Sequence, residues 1–155
     1  MTRFVYGERI GKTAKLSVGC NAIIFDPTRH QVLLLKRADN GWWCLPGGRM
    51  NAGESVSEAC VREVLEETGL QVHIKRLVGV YSDPHRITEY DDGNRYQFVS
   101  FALEVEPIEG ELTLSAESTD YGYFPVDELG KIQLLEPHRE QIEHALTDQI
   151  ASFIL

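Results

Sequence analysis

An α/β fold, a mixed β-sheet with helices packed against it, is what the order of hydrophobic patterns along these 155 residues predicts. Apolar runs of strand length come first, a capped helical stretch interrupts them, more strands follow, and a second helical pattern closes the chain. No internal repeat, low-complexity tract or linker divides it, and the length is natural for one domain with a proper core. A single domain over residues 1–155 is therefore expected. Residues 1–15 are polar and mixed, the composition of an arm or a short edge strand.

Each element has a local signal. Leu16 to Phe25 (LSVGCNAIIF) reads as a strand, and Asp26-Pro27-Thr28-Arg29-His30 supplies turn chemistry. Gln31 to Lys36 (QVLLLK) returns as a second, largely buried strand. Trp42-Trp43-Cys44-Leu45 leads into Pro46-Gly47-Gly48, where the two glycines permit a tight turn and close backbone approach. A helix is predicted from Val56 to Thr68. Ser55 and Glu58 form a capping box at its start, and Gly69 suits the left-handed turn that ends it. Gln71 to Tyr81 and Tyr96 to Val105 read as strands joined by a polar loop, SDPHRITEYDDGN, and Tyr121 to Phe124 as a short strand. Pro137 opens a final helix with Ile142, Ala145, Leu146, Ile150 and Phe153 at helical spacing. That stripe is one of core or dimer packing, which leaves a homodimer open.

Composition narrows the partners. With fifteen basic against twenty-four acidic residues the net charge is −9, so the chain lacks the basic footprint of a nucleic-acid binder. The longest apolar runs are far short of a membrane span, and MTRFVYGERIGK has no apolar signal-peptide core, so no membrane partner and a cytoplasmic location are expected. Cys20, Cys44 and Cys60 are an odd number with no close pair, which suggests neither a disulfide framework nor a thiolate zinc site. An acidic chain repels phosphates through its bulk field, so phosphate chemistry here would need bound cations or local basic side chains.

The chemistry concentrates in GRMNAGESVSEACVREVLEETGL, residues 48 to 70. Five carboxylates fall between Glu54 and Glu67. At about 100° per residue, Glu63, Glu66 and Glu67 lie within an arc of roughly 100° on one helix face. Val61, Val64 and Leu65 occupy another arc, which can face a core. Like charges on one face repel. A hard divalent cation, which takes oxygen ligands, reverses that sign. Arg62 can orient a neighbouring carboxylate, with Glu54 as a plausible partner.

The same stretch matches every defined position of the signature of the Nudix hydrolases: Gly48, five residues, Glu54, seven residues, then Arg62-Glu63-Val64-Leu65-Glu66-Glu67-Thr68-Gly69-Leu70. The chain resembles that family sharply over residues 46–70 and more loosely elsewhere. The resemblance implies an α/β/α sandwich whose signature forms a loop-helix-loop, and a Nudix hydrolase domain over residues 1–155. It also implies cleavage of a diphosphate linkage with Mg²⁺ or Mn²⁺.

Carried over residue by residue, it makes Glu66 and Glu67 metal ligands, with the carbonyl of Gly47 beside them. Glu63 becomes a further ligand or the base that deprotonates the attacking water, oriented by Arg62 with Glu54. Glu117 and Asp120 are candidates for a base on a distant loop. Arg37, Arg49, Asp83 and His85 are candidate substrate contacts, Arg86 and Arg95 weaker ones, and Trp42 or Trp43 could stack on a base.

The implied partner is a small nucleotide, most simply a nucleoside diphosphate derivative of the ADP-ribose or nucleotide-sugar type, cleaved to a nucleoside monophosphate. In the family a proline downstream of the signature is associated with ADP-ribose cleavage, and Pro84 lies near that mark. One alternative is a house-cleaning pyrophosphohydrolase acting on nucleoside triphosphates. The other is a Nudix-like domain that binds a nucleotide metabolite without cleaving it.

Overall fold

A computed structural model describes residues 2–155, leaving Met1 outside the described residues. In chain order the strands are β1 (Arg3–Tyr6), β2 (Lys15–Ile23), β3 (Gln31–Arg37), β4 (Trp43–Cys44), β5 (Gly47–Arg49), β6 (Gln71–Tyr81), β7 (Arg86–Glu89), β8 (Arg95–Glu109), β9 (Ser118–Pro125) and β10 (Phe153–Ile154). The helices are α1 (Val56–Thr68) and α2 (Glu136–Ala145).

The strands divide into a seven-stranded mixed sheet and a three-stranded antiparallel one. In the larger sheet β8 runs parallel to β2 on one side and antiparallel to β6 and β7 on the other. From these, β5 extends β2, β1 extends β7, and β10 lies parallel to β6. The smaller sheet sets β3 between β4 and β9.

The strand period of two sorts the core into two clusters. Cys20, Ala22, Ile24 and Leu33 face Ala59, Cys60 and Val64 of α1. Ile23, Val32 and Leu34 face the other way, onto Ile142 and Ala145 of α2. Helices therefore cover opposite faces, the expected α/β/α layering. Helix α1 has the boundaries its local signals predict. Ser55 Oγ accepts from Glu58 N–H at 3.1 Å, Glu58 returns the bond to Ser55 N–H at 2.8 Å, and Gly69 sits at φ 74°. Such a cap is worth about 1 kcal/mol.

Three expectations are corrected. The polar loop after β6 contains β7, a strand because it pairs with β1, so the N-terminal residues form an edge strand and not a free arm. Helix α2 stops at Ala145, where Arg29 and Arg76 both donate to its carbonyl, at 3.2 and 2.7 Å; guanidinium groups there satisfy the end of a helix and complement its dipole. Beyond it Ile150 is 98% exposed and Phe153 belongs to β10. Leu65 stands on the exposed side of α1, because Val64 and Cys60 already fill the sheet-facing side. As expected, no disulfide forms among the described residues: Cys20, Cys44 and Cys60 are free and buried, Cys20 and Cys60 in the cluster under α1.

Candidate active site

The signature helix ends over a cavity of about 950 Å³, at the upper end of ligand-pocket sizes of about 300–1,000 Å³. Glu63, Glu67 and Glu117 line it together with Gly47 and Gly48. The glycines are required by approach. A Cβ on Gly48 would fall 2.5 Å from the carboxyl carbon of Glu63, and one on Gly47 would strike the Cys20 carbonyl at 2.2 Å. Glycine there lets β5 slide between β2 and α1.

Arg62 organises the loop-helix-loop. Its Nε and Nη2 grip both oxygens of Glu54, at 2.5 and 3.0 Å, and Nη2 also donates to the Arg49 carbonyl at 3.1 Å. Its Nη1 donates to Glu63 at 2.8 Å and to Glu66 at 3.3 Å. Glu54 in turn accepts Asn51 N–H at 2.8 Å. The guanidinium beside Glu54 holds that carboxyl below its ordinary range. Arg62 is thus a fastener that sets where Glu63 sits.

Glu67 is the anomaly. It is only 8% exposed, and among the described residues no basic side chain is paired with it. Burial, then the negative charge of Glu63 and of Glu117, push its pKa up to about 9, although Gly47 N–H donates to it. Glu66, by contrast, points outward with its side chain 59% exposed. Among the described residues no three His, Cys, Asp or Glu groups already stand at metal-ligand spacing. The donor set still fits a hard divalent cation: Glu63, Glu67 and Glu117 line one cavity, and among the described residues Arg62 is paired with Glu63 while no basic side chain is paired with Glu67.

The remaining candidates separate. Glu117, though exposed, lines the cavity from the loop before β9 and acts on Glu67, whereas Asp120 is exposed, is not part of the wall, and accepts Tyr121 N–H at 2.8 Å. Arg37 lines the cavity but is clamped by Asp39 through two bonds of 2.8 and 2.9 Å, which depress the Asp39 carboxyl. Arg49 lines the cavity with its guanidinium 4.2 Å over the Tyr96 ring. Asp83 lines the cavity and accepts His85 N–H at 2.8 Å. His85 is not part of the wall; its Nδ1 accepts Arg9 N–H at 2.9 Å and holds the N-terminal turn. Trp42 is at the wall, while Trp43 packs in the core against Phe124.

Several wall residues escape sequence reasoning. Tyr96, Phe98 and Ser100 form one face of β8, which the period-two alternation of YQFVS could have flagged. Phe4, with Arg86 5.6 Å above its ring, and His138 carry no local signal of this kind.

The family model of the NUDIX domain matches residues 15–146. The chain belongs to the Nudix family. An ADP-ribose pyrophosphatase of Methanocaldococcus jannaschii is 38% identical over 106 residues, 66% of this chain and 59% of that protein. The chain thus spans less than two thirds of that relative. A nucleoside triphosphatase, NudI, of Salmonella agona is 31% identical over 110 residues, 66% of this chain and 78% of that protein. Among solved structures, an ADP-ribose pyrophosphatase from Streptococcus suis superposes with a TM-score of 0.68 at 23% identity, covering 90% of this chain and 98% of that one, a likeness of fold. The MutT protein from Bacillus halodurans gives 0.64 at 31% identity, covering 86% and 84%. The Nudix loop-helix-loop described above lies within the matched residues, and the mixed sheet between two helices is the Nudix sandwich.

Proposed function

We propose that this Nudix domain is a metal-dependent pyrophosphohydrolase that splits a nucleoside diphosphate linked to another moiety, of the ADP-ribose or nucleotide-sugar type, and releases a nucleoside monophosphate. The observation that carries the proposal is Glu67, a buried carboxyl group beside Glu63 and Glu117 with no positive partner among the described residues, on the wall of a nucleotide-sized cavity. A site with that surplus of negative charge is organised around a cation that arrives from outside. Glu63, Glu66 and Glu67, with the Gly47 carbonyl, would hold Mg²⁺ or Mn²⁺. When bound, the cation supplies neutralisation of the diphosphate charge and polarisation of the scissile bond.

The chain's own residues do the rest. Arg62 fixes Glu63 through the 2.8 Å bond, with Glu54 bracing the guanidinium from behind. Glu63 or Glu117 takes the proton from the attacking water, and both line the cavity. Arg49 offers positive charge to a phosphate from its perch on Tyr96. Phosphoryl chemistry of this kind needs chiefly positioning and charge stabilisation.

A triphosphate-cleaving reading has specific support in the similarity to NudI, and the ADP-ribose reading has support in the Methanocaldococcus relative. Product analysis separates them. Incubation of ADP-ribose, UDP-glucose and the common nucleoside triphosphates with added Mg²⁺ or Mn²⁺ is expected to yield a nucleoside monophosphate and a sugar phosphate. Inorganic pyrophosphate from a triphosphate as the only product overturns the first reading in favour of the second. Tight nucleotide binding without turnover under every metal and pH makes the domain a binding module.

A further inference from the structure

His138 is a partly buried residue that the chemistry above leaves unused, and its surroundings set its hydrogen bonding. Its Nδ1 accepts the backbone N–H of Leu45 at 2.9 Å, so the neutral ring carries its proton on Nε2. Neutral is the form it keeps: burial, then the charges of Arg37 and Arg86, push its pKa down to about 3. It lies in the first turn of α2 and lines the same cavity as Glu63 and Glu67. Leu135, Cys44, Leu45 and Phe4 give the wall on this side an apolar part, which Arg37 and Arg86 border. Gln141, almost a full turn further along α2, also lines the cavity. Its Oε1 accepts Asn21 Nδ2–H at 3.0 Å, which leaves its amide nitrogen as the group that can donate.

An apolar corner with a neutral donor suits a flat, uncharged heterocycle, whereas a diphosphate is served by Arg49 and a cation at the carboxylate end. We propose that this corner is the base seat of the substrate and that His138 selects a purine there, its Nε2–H donating to an unprotonated ring nitrogen of the base. Adenine offers three such nitrogens. In uracil one ring nitrogen carries a proton and the other the glycosidic bond, so its acceptors are carbonyl oxygens on a smaller ring, which do not lie where the purine nitrogens do. The inference rests on the nucleotide-cleaving reading above and names the base its substrate carries.

Binding separates this inference from that reading, because a nucleoside monophosphate occupies the seat without being cleaved. Calorimetry with Mg²⁺ present would compare AMP, UMP and the 1-deaza, 3-deaza and 7-deaza analogues of AMP, each of which replaces one ring nitrogen with C–H. A donor left facing C–H weakens binding by about tenfold or more. The expected result is that AMP binds more tightly than UMP and that one deaza analogue loses about tenfold while the other two bind like AMP. His138→Phe keeps a ring of similar shape and removes both nitrogens. It is expected to bind that analogue and AMP equally, with KM raised and kcat little changed in turnover assays. The variant also strands Leu45 N–H, so its fold is checked by thermal melting; the analogue series on the unaltered protein decides the matter even where the variant does not fold. Equal binding of AMP and all three analogues, equal binding of AMP and UMP, no binding of AMP, or a folded His138→Phe that keeps the discrimination overturns the assignment. Turnover of ADP-ribose and UDP-glucose is read separately. Its absence refutes the proposed function, whereas turnover without discrimination among the analogues refutes only the role of His138.

Discussion

Replacing Glu67 with glutamine tests the candidate site at its most strained point. In the metal-free protein Glu67 has its pKa raised from an ordinary 4.5 to about 9, by burial first and by Glu63 and Glu117 next. A group raised in the folded state contributes stability that is full below its unfolded pKa and is lost as the pH climbs through the folded one. At pH 7 the folded protein keeps the proton that the unfolded chain has released. The 2.5 pH units between 4.5 and 7, at about 1.4 kcal/mol each, come to about 3 kcal/mol of lost stability. Glutamine keeps the shape and the acceptor for Gly47 N–H but has no proton to lose. Glu67→Gln is therefore expected to match the wild type near pH 4.5 and to exceed it increasingly towards pH 9, by up to about 3 kcal/mol at pH 7. Urea unfolding in chelator across that range measures the difference. With Mg²⁺ the order should reverse, since the cation stabilises only a protein able to bind it, and turnover should fall about 100-fold or more with a ligand lost. A variant that is less stable without metal at pH 7, or that retains wild-type turnover, refutes the account of Glu67 as a cation ligand held in waiting.

Three further substitutions locate the boundaries of the site. Glu58→Gln touches the capping box alone and should cost at most about 1 kcal/mol in chemical unfolding with turnover unchanged; a loss like that at Glu67 means the face assignment is wrong. Arg62→Lys keeps the charge but not the fork that spans Glu54, Glu63 and the Arg49 carbonyl, so kcat should fall about tenfold or more, with KM nearly constant; full activity in steady-state kinetics would reduce the fork to ornament. Glu117→Gln should lower kcat and shift its pH profile, whereas Asp120→Asn, on the exposed side of β9, should change neither; equal effects would remove Glu117 from the site.

What the sequence determined by itself was the part governed by short-range rules. Helix α1 begins and ends where Ser55, Glu58 and Gly69 place it, since capping bonds join residues three or four apart. The spacing of Glu63, Glu66 and Glu67 follows from the same helical geometry, and together with Glu54 and Arg62 it marks the family, while the loop before the helix is what folds Glu54 back onto Arg62. The tertiary structure decided everything that depends on distant partners. Strand β7 exists because β1, more than eighty residues earlier, offers it a hydrogen-bonding edge, and no local pattern in a polar segment announces that. Helix α2 ends where Arg29, from the turn before β3, and Arg76, from β6, both donate to the Ala145 carbonyl. The three signature glutamates looked equivalent on a helical wheel, yet the fold buries Glu67 and leaves Glu66 in solvent, and burial raises the pKa of Glu67. Glu117 and His138 reach the cavity from opposite ends of the later chain. Local bonding sets what a segment is, while burial and long-range contact set what its side chains are worth.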